Sequence, residues 1–261
     1  VAALGALCVD EGVRTVVQAF TPSPAVRRLA ADADAVITSA SPGDQYSGTA
    51  GINFSEAAIE GLREGGTFIH TSGIWVYGNS DQITEESTFD ASTIVAWHPE
   101  ADARLLAAPG VRSTLIEPAI VYGYGKGIPN VVTAAEQTGD APVLQLVGPG
   151  TQHWTTVHVD DLAELYVAVL ERCEAGHRYV GASGVNPTVR ELGEAASRRR
   201  GLEGRVAPET AAATTERLGA FGEALLLDQP ASGQKAREVL GWKPSRPSLV
   251  EEIAAGHYDQ P

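Results

Sequence analysis

Moving a proton near neutral pH takes a group that titrates there, or a hydroxyl held by one. This chain offers both in a short span. His98 carries an imidazole, whose ordinary pKa lies closest to neutrality. It sits between Trp97 and Pro99 in TIVAWHPEADARLL (Thr93 to Leu106), where the Trp-His-Pro order suits the entry of a helix. Upstream, TSGIWVYG (Thr71 to Gly78) brings two hydroxyls, Thr71 and Ser72, to the end of an apolar run. Neighbouring side chains on a strand point to opposite faces, so only one of the two can look into a given cleft. Ser72 and His98 are the candidate catalytic residues. Tyr77 and Tyr122 each stand in a VYG triplet and read as cleft-wall packing before they read as acids.

Other chemistries find less support. His153, His158, Asp160 and Asp161 cluster in sequence, but their spacing matches no familiar metal site and HExxH is absent, so no metal is expected. His158 and Asp160 read instead as orienting a turn into the helix that follows. Gly123, Gly125 and Gly127 surround Lys126, but Pro129 follows at once, and the spacing fits neither a dinucleotide loop nor a Walker loop. GASG (Gly181 to Gly184) reads as a turn after a strand, and without a GxSxG elbow a hydrolase triad is not expected. Cys8 and Cys173 are too few for a disulfide framework or a Cys-rich zinc site, which fits a reducing cytoplasm.

The elements that must position these residues alternate in type. Strands are expected at Val13 to Phe20, Ala33 to Ala40 and Thr67 to Ser72, with a fourth beginning VRSTLIEPAIVYG (Val111 to Gly123). Between them lie helical patterns at Pro24 to Ala31, Ala50 to Glu64 and Glu100 to Ala108. Strands separated by helices pair in parallel through right-handed crossovers, so the fold class is α/β, a doubly wound parallel sheet. After Gly123 turn-rich pieces take over, followed by helices at Asp160 to Glu171, Thr188 to Arg199, Glu209 to Leu218, Ser232 to Leu240 and Ser248 to Ala255. The expected division is a doubly wound α/β domain over 1–125 and, over 126–261, a smaller lobe interleaved with the last strands. Ligands of open α/β sheets bind at the carboxyl edge of the strands.

With 261 residues the chain is long enough to bury a substantial core. Its 33 acidic against 19 basic residues give a net charge of −14, which repels phosphate backbones, so no nucleic-acid partner is expected. The one basic run, Arg198 to Arg200, reads as a solvated helix end. No stretch approaches the roughly 20 apolar residues of a membrane span.

Four segments together resemble the extended short-chain dehydrogenase/reductases, the NAD-dependent epimerase/dehydratase family. They are TSGIWVYG, IEPAIVYGYG (Ile116 to Gly125), WTTVHVDDLAELYVAVLE (Trp154 to Glu171) and AREVLGWKPSRPSLVEEI (Ala236 to Ile253). The resemblance implies a Rossmann fold that binds NAD or NADP and a small-molecule substrate. It puts Ala40 and Ser41 near the adenosine side of the cofactor. It puts Thr71, Ser72 and the turn Pro118, Ala119, Ile120 near the nicotinamide, and Tyr122, Asn130 and His153 toward the substrate. It also implies a possible homodimer through the two long helices.

The chain departs from the family in two places. The opening strand with its GxxGxxG phosphate loop is absent, and the chain holds no methionine and begins at Val1. The expectation is therefore a fragment lacking its first βαβ unit, with a domain that never had the loop as the alternative. The family's Ser/Thr, Tyr and Lys set is also missing. Gly73 takes the hydroxyl position, no Tyr lies between Tyr77 and Tyr122, and the first Lys of the chain is Lys126. His153 stands where sugar-nucleotide members carry an Arg, which disfavours a diphosphate, and Glu117 replaces an Arg ahead of Pro118. Two functions remain open: an epimerase/dehydratase-like oxidoreductase on a small carbonyl, hydroxyl or sugar-nucleotide-like substrate, or a non-catalytic NAD(P)-sensing regulator.

Overall fold

The computed structural model describes residues 24–39, 47–138, 142–172 and 175–259. The expected strand at Val13 to Phe20, both cysteines, Ala40 and Ser41 lie outside the described residues. The first half runs α1 (Pro24–Ala31), β1 (Ala35–Thr38), α2 (Ser47–Gly61), β2 (Gly66–Thr71), α3 (His98–Leu106), β3 (Val111–Pro118) and β4 (Ile120–Gly123). The second half runs β5 (Lys126–Gly127), α4 (Asn130–Thr133), β6 (Gln137–Thr138), β7 (Val143–Gln145), β8 (Thr156–His158), α5 (Val159–Arg172) and β9 (His177–Gly181). It closes with α6 (Val189–Arg199), β10 (Val206–Ala207), α7 (Ala211–Leu225), α8 (Gln234–Leu240) and α9 (Leu249–Ala255). Among the described residues no helix is long and apolar enough to cross a membrane.

Four strands form a parallel sheet in the order β1-β2-β3-β9. Alternation along β2 sorts its side chains into two layers. Phe68 packs with Val26, Ala57, Ala58 and Leu105 from α1, α2 and α3, whereas Ile69 packs with Leu162, Leu165 and Val169 of α5. Helices therefore cover both faces, as in a doubly wound fold. β2 is buried from Gly66 to His70, so both of its faces are covered and its burial does not alternate.

Within VRSTLIEPAIVYG the expected turn at Pro118–Ile120 divides two strands. Pro118 has no N–H to give, the Ala119 N–H turns to Gly181 O at 3.0 Å, and the Ile120 N–H turns to Thr155 O at 3.0 Å. β3 thus stays in the central sheet, while β4 joins a second small sheet with β8 and β5. The helix expected over Glu209 to Leu218 continues to Leu225, bent at Gly219, whose φ of 57° and ψ of −142° no helix supplies. The other helices differ by a few residues at their ends, where caps decide. Thr188 and Glu191 form a reciprocal capping box at the start of α6, and Ser248 and Glu251 form another at α9. Arg198 and Arg199 of the basic run are exposed and paired with Glu194 and Asp259.

Candidate active site

β2 ends at the carboxyl edge of the sheet with His70, Thr71, Ser72 and Gly73 in succession. His70 and Ser72 share the face that looks toward α3. That helix begins with Pro99 in its first turn, Glu100 near its positive end and Arg104 in its last turn, all suited to its dipole. His98 and Asp102 are one turn apart on it and so share a face.

These two pairs meet. The Ser72 hydroxyl donates to Asp102 Oδ2 at 2.6 Å. His98 Nδ1 lies 3.2 Å from Asp102 Oδ1 and 3.3 Å from Ser72 Oγ. On the far side, His70 Nε2 stands 3.4 Å from the same Oδ1, and its Nδ1 is held by Thr38 Oγ1 at 2.8 Å. The Trp97 ring stacks on His98, with centroids 3.7 Å apart, and fixes the imidazole plane. Side-chain exposure is 1% for Asp102, 5% for His70 and 12% for His98, so the cluster opens outward through His98 and the half-buried Ser72. Burial alone would raise the Asp102 carboxyl. The imidazoles of His70 and His98 and the Ser72 hydroxyl outweigh it and hold the group well below the usual carboxylate range. The carboxylate is therefore ionised, an anchored negative charge between two imidazoles and a hydroxyl.

Beside this cluster Gly73 is extended, with φ −175°, a conformation any residue adopts. A Cβ built there meets nothing within 4 Å. Glycine at this position thus leaves open space at the strand end and serves no backbone need. The two residues expected on the adenosine side fall outside the described residues.

The remaining sequence candidates take other partners. Thr71 points the opposite way from Ser72, and its hydroxyl meets Tyr166 Oη of α5 at 2.5 Å. Pro118, Ala119 and Ile120 form the buried turn between the two sheets. Tyr122 is buried and donates its hydroxyl to Pro247 O at 2.6 Å. Asn130 donates to Gly125 O and Gly127 O, closing the glycine loop on itself. His153 is exposed and pairs with Asp228 at 2.8 Å. His158 Nδ1 accepts from the Asp160 N–H at 3.1 Å, the turn-orienting contact expected of it. The structure brings together Ser72 and His98 and adds Asp102 and His70, which sequence reasoning missed. The signal was present in the i,i+4 spacing of His98 and Asp102 and the i,i+2 spacing of His70 and Ser72.

A second polar cluster lies behind the VYG loop. Glu117 is fully buried, accepts the Tyr77 hydroxyl at 2.6 Å, and faces Arg178 Nη2 at 3.3 Å. Burial pushes its carboxyl up to about 7, against the pull of Arg178 and Tyr77. The Arg178 guanidinium in turn lies 4.7 Å over the Phe89 ring.

Comparison with known proteins agrees with this architecture. The profile of the NAD dependent epimerase/dehydratase family matches residues 7–181. The chain belongs to that family. An uncharacterized protein of Saccharomyces cerevisiae is 28% identical over 198 residues, which are 73% of this epimerase/dehydratase-family chain and 63% of the yeast protein. An uncharacterized protein of Schizosaccharomyces pombe is 29% identical over 155 residues, 58% of this chain and 51% of its own. The chain thus spans between half and two thirds of the length of these curated relatives.

Solved structures share the fold. UDP-glucuronic acid 4-epimerase from Bacillus cereus, in complex with UDP-glucuronic acid and NAD, superposes with a TM-score of 0.70 at 19% identity over 89% of this chain and 77% of its own. RMD from Pseudomonas aeruginosa complexed with NADPH gives 0.66 at 20% identity over 85% and 79%. A dTDP-glucose 4,6-dehydratase from Streptomyces venezuelae gives 0.68 at 19% over 89% and 74%.

Proposed function

We propose that this protein is an NAD(P)-dependent oxidoreductase or epimerase of a small carbonyl or hydroxyl substrate, working with Ser72, His98 and Asp102 in place of the missing Tyr and Lys. One observation carries the reading. At the strand end where the family does its chemistry, Ser72 is tied to Asp102 at 2.6 Å and lies 3.3 Å from His98. Open space adjoins them at Gly73.

The bound nicotinamide would supply hydride acceptance or donation at the substrate carbon. Thr71, Ser72 and the Pro118–Ile120 turn would flank it at the sheet edge. Ser72 would hydrogen-bond the reacting oxygen. A proton leaving that oxygen on oxidation, or reaching it on reduction, would pass through the Ser72 hydroxyl to or from His98 Nδ1, 3.3 Å away. Asp102 orients the hydroxyl, and the Trp97 stack holds His98 in place. The exposed His153 beside Asp228 is a poor clamp for a diphosphate. A cytoplasmic setting and a homodimer belong to the same proposal.

The test pairs cofactor binding with turnover. Ser72→Ala and His98→Ala should each lower turnover by about 100-fold or more across a panel of small carbonyl and hydroxyl substrates, with NAD(P) affinity kept. Retained affinity with no turnover by the wild-type protein on any substrate would sink the enzyme reading. It would favour the NAD(P)-sensing regulator, to which the loss of the Tyr and Lys positions already points.

A further inference from the structure

We propose that His70, His98 and Asp102 bind one divalent cation of the zinc class at the carboxyl end of β2. The inference goes beyond the proposed function and does not require it, because cation binding is measured without turnover.

The geometry is that of a ligand set. Each residue offers one ligand atom, and the three atoms lie within 4.8 Å of one another. A zinc ion with bonds of about 2.0–2.1 Å in tetrahedral geometry sets its ligands about 3.3–3.4 Å apart. Asp102 Oδ1 lies 3.4 Å from His70 Nε2 and 3.2 Å from His98 Nδ1. These two carboxylate–imidazole separations match edges of that tetrahedron. They are long for a charge-assisted hydrogen bond, which settles at about 2.7–2.9 Å.

The groups around the ligands tell the same way. His70 Nε2 is buried, stands 3.4 Å from Asp102 Oδ1 and makes no hydrogen bond. The other ring nitrogen is engaged by the Thr38 hydroxyl at 2.8 Å. When His70 Nδ1 is the donor in that contact, Nε2 carries an unengaged lone pair beside the Asp102 carboxylate, which a cation can take. An outer hydrogen bond of this kind fixes the tautomer of ligating histidines. Ser72 binds the second carboxylate oxygen at 2.6 Å and leaves Oδ1 to face the two imidazoles. Two imidazoles and one carboxylate, with a fourth side turned to Ser72 and the cleft, suit zinc better than magnesium or calcium, which prefer all-oxygen cages. The ligands stand on a buried strand and a helix, so the site is held in advance. With the cation bound, His98 Nδ1 is a ligand and not a proton acceptor, so the cation-bound form is distinct from the form proposed to turn over.

The experiment uses the full chain carrying Cys8→Ser and Cys173→Ser, which removes both thiols as competing ligands. Metal-free protein is titrated with zinc against a chromophoric chelator and, separately, with cobalt(II). One equivalent should bind. The cobalt form should show the intense visible bands of a four-coordinate site, and zinc should raise the melting temperature. Asp102→Asn and His98→Gln should each weaken zinc binding by at least about tenfold and abolish the melting shift. His98 is the least buried ligand, so its variant keeps the test decisive if Asp102→Asn does not fold. A His153→Gln control should bind as the parent does. Absence of stoichiometric binding by the folded parent would overturn the proposal, as would undiminished binding by folded His98→Gln. Neither result bears on turnover, which is assayed apart.

Discussion

Replacing Glu117 by Gln should stabilise this protein at alkaline pH while leaving it unchanged in mild acid, although the substitution removes one side of an ion pair. Glu117 is fully buried between Tyr77 and Arg178, and its carboxyl is raised from an ordinary 4.5 to about 7. A carboxyl raised in the folded state binds its proton more tightly there than in the unfolded chain. Stability is then highest below the unfolded pKa and falls as pH rises from 4.5 through 7. At about 1.4 kcal/mol per decade, the loss reaches about 3 kcal/mol by pH 8. Arg178 lies 3.3 Å away but does not recover the cost of desolvating the charge. Glutamine mimics the protonated acid, and its carbonyl can still accept the Tyr77 hydroxyl. Denaturant unfolding of both proteins between about pH 4 and pH 8 measures the difference. The curves should meet near pH 4 and separate by about 3 kcal/mol in favour of Glu117→Gln at pH 8. A variant that is less stable at pH 8 than the parent would refute the reasoning, because the pair would then be worth more than its desolvation.

Asp161 accepts the Ser245 and Arg246 N–H groups at 3.0 and 3.1 Å and is 1% exposed. Asp161→Asn can accept only on one side, so denaturant unfolding should show a loss of about 1–3 kcal/mol. Gly233 has φ 62°, and a Cβ there would stand 2.4 Å from Ala182 O. Gly233→Ala should therefore cost at least about 2 kcal/mol by the same assay. Tyr166→Phe removes the partner of the Thr71 hydroxyl and should cost about 1 kcal/mol in stability. Because Thr71 and Ser72 point to opposite faces, turnover by Tyr166→Phe should fall far less than turnover by Ser72→Ala.

The alternation of short apolar strands with helical patterns, with Gly and Pro as punctuation, carries enough local information to specify a doubly wound sheet. Local chemistry also marks Thr188 and Ser248 as helix starts and the His158–Asp160 turn as structural. Ser72 and His98 were legible as candidates because their side chains alone fit proton transfer. Distance hides the rest. His70 and Asp102 join the site only when β2 and α3 pack against each other, 32 residues apart in the chain. A lone histidine in an apolar strand gives no sign of where its second nitrogen points. Glu117 likewise reads as an odd carboxylate beside a proline until β3, β9 and the VYG loop close around it. Tyr122 sits in the same triplet as Tyr77, yet one donates to a backbone carbonyl and the other to a buried carboxylate. The turn at Pro118–Ile120 was legible, but the partners of its backbone, Gly181 and Thr155, were not, because they arrive from strands and loops that follow much later. Pattern and local propensity settle which segments become strands and helices. Which polar groups end up facing one another, and at what cost in desolvation, depends on long-range packing that no local window contains.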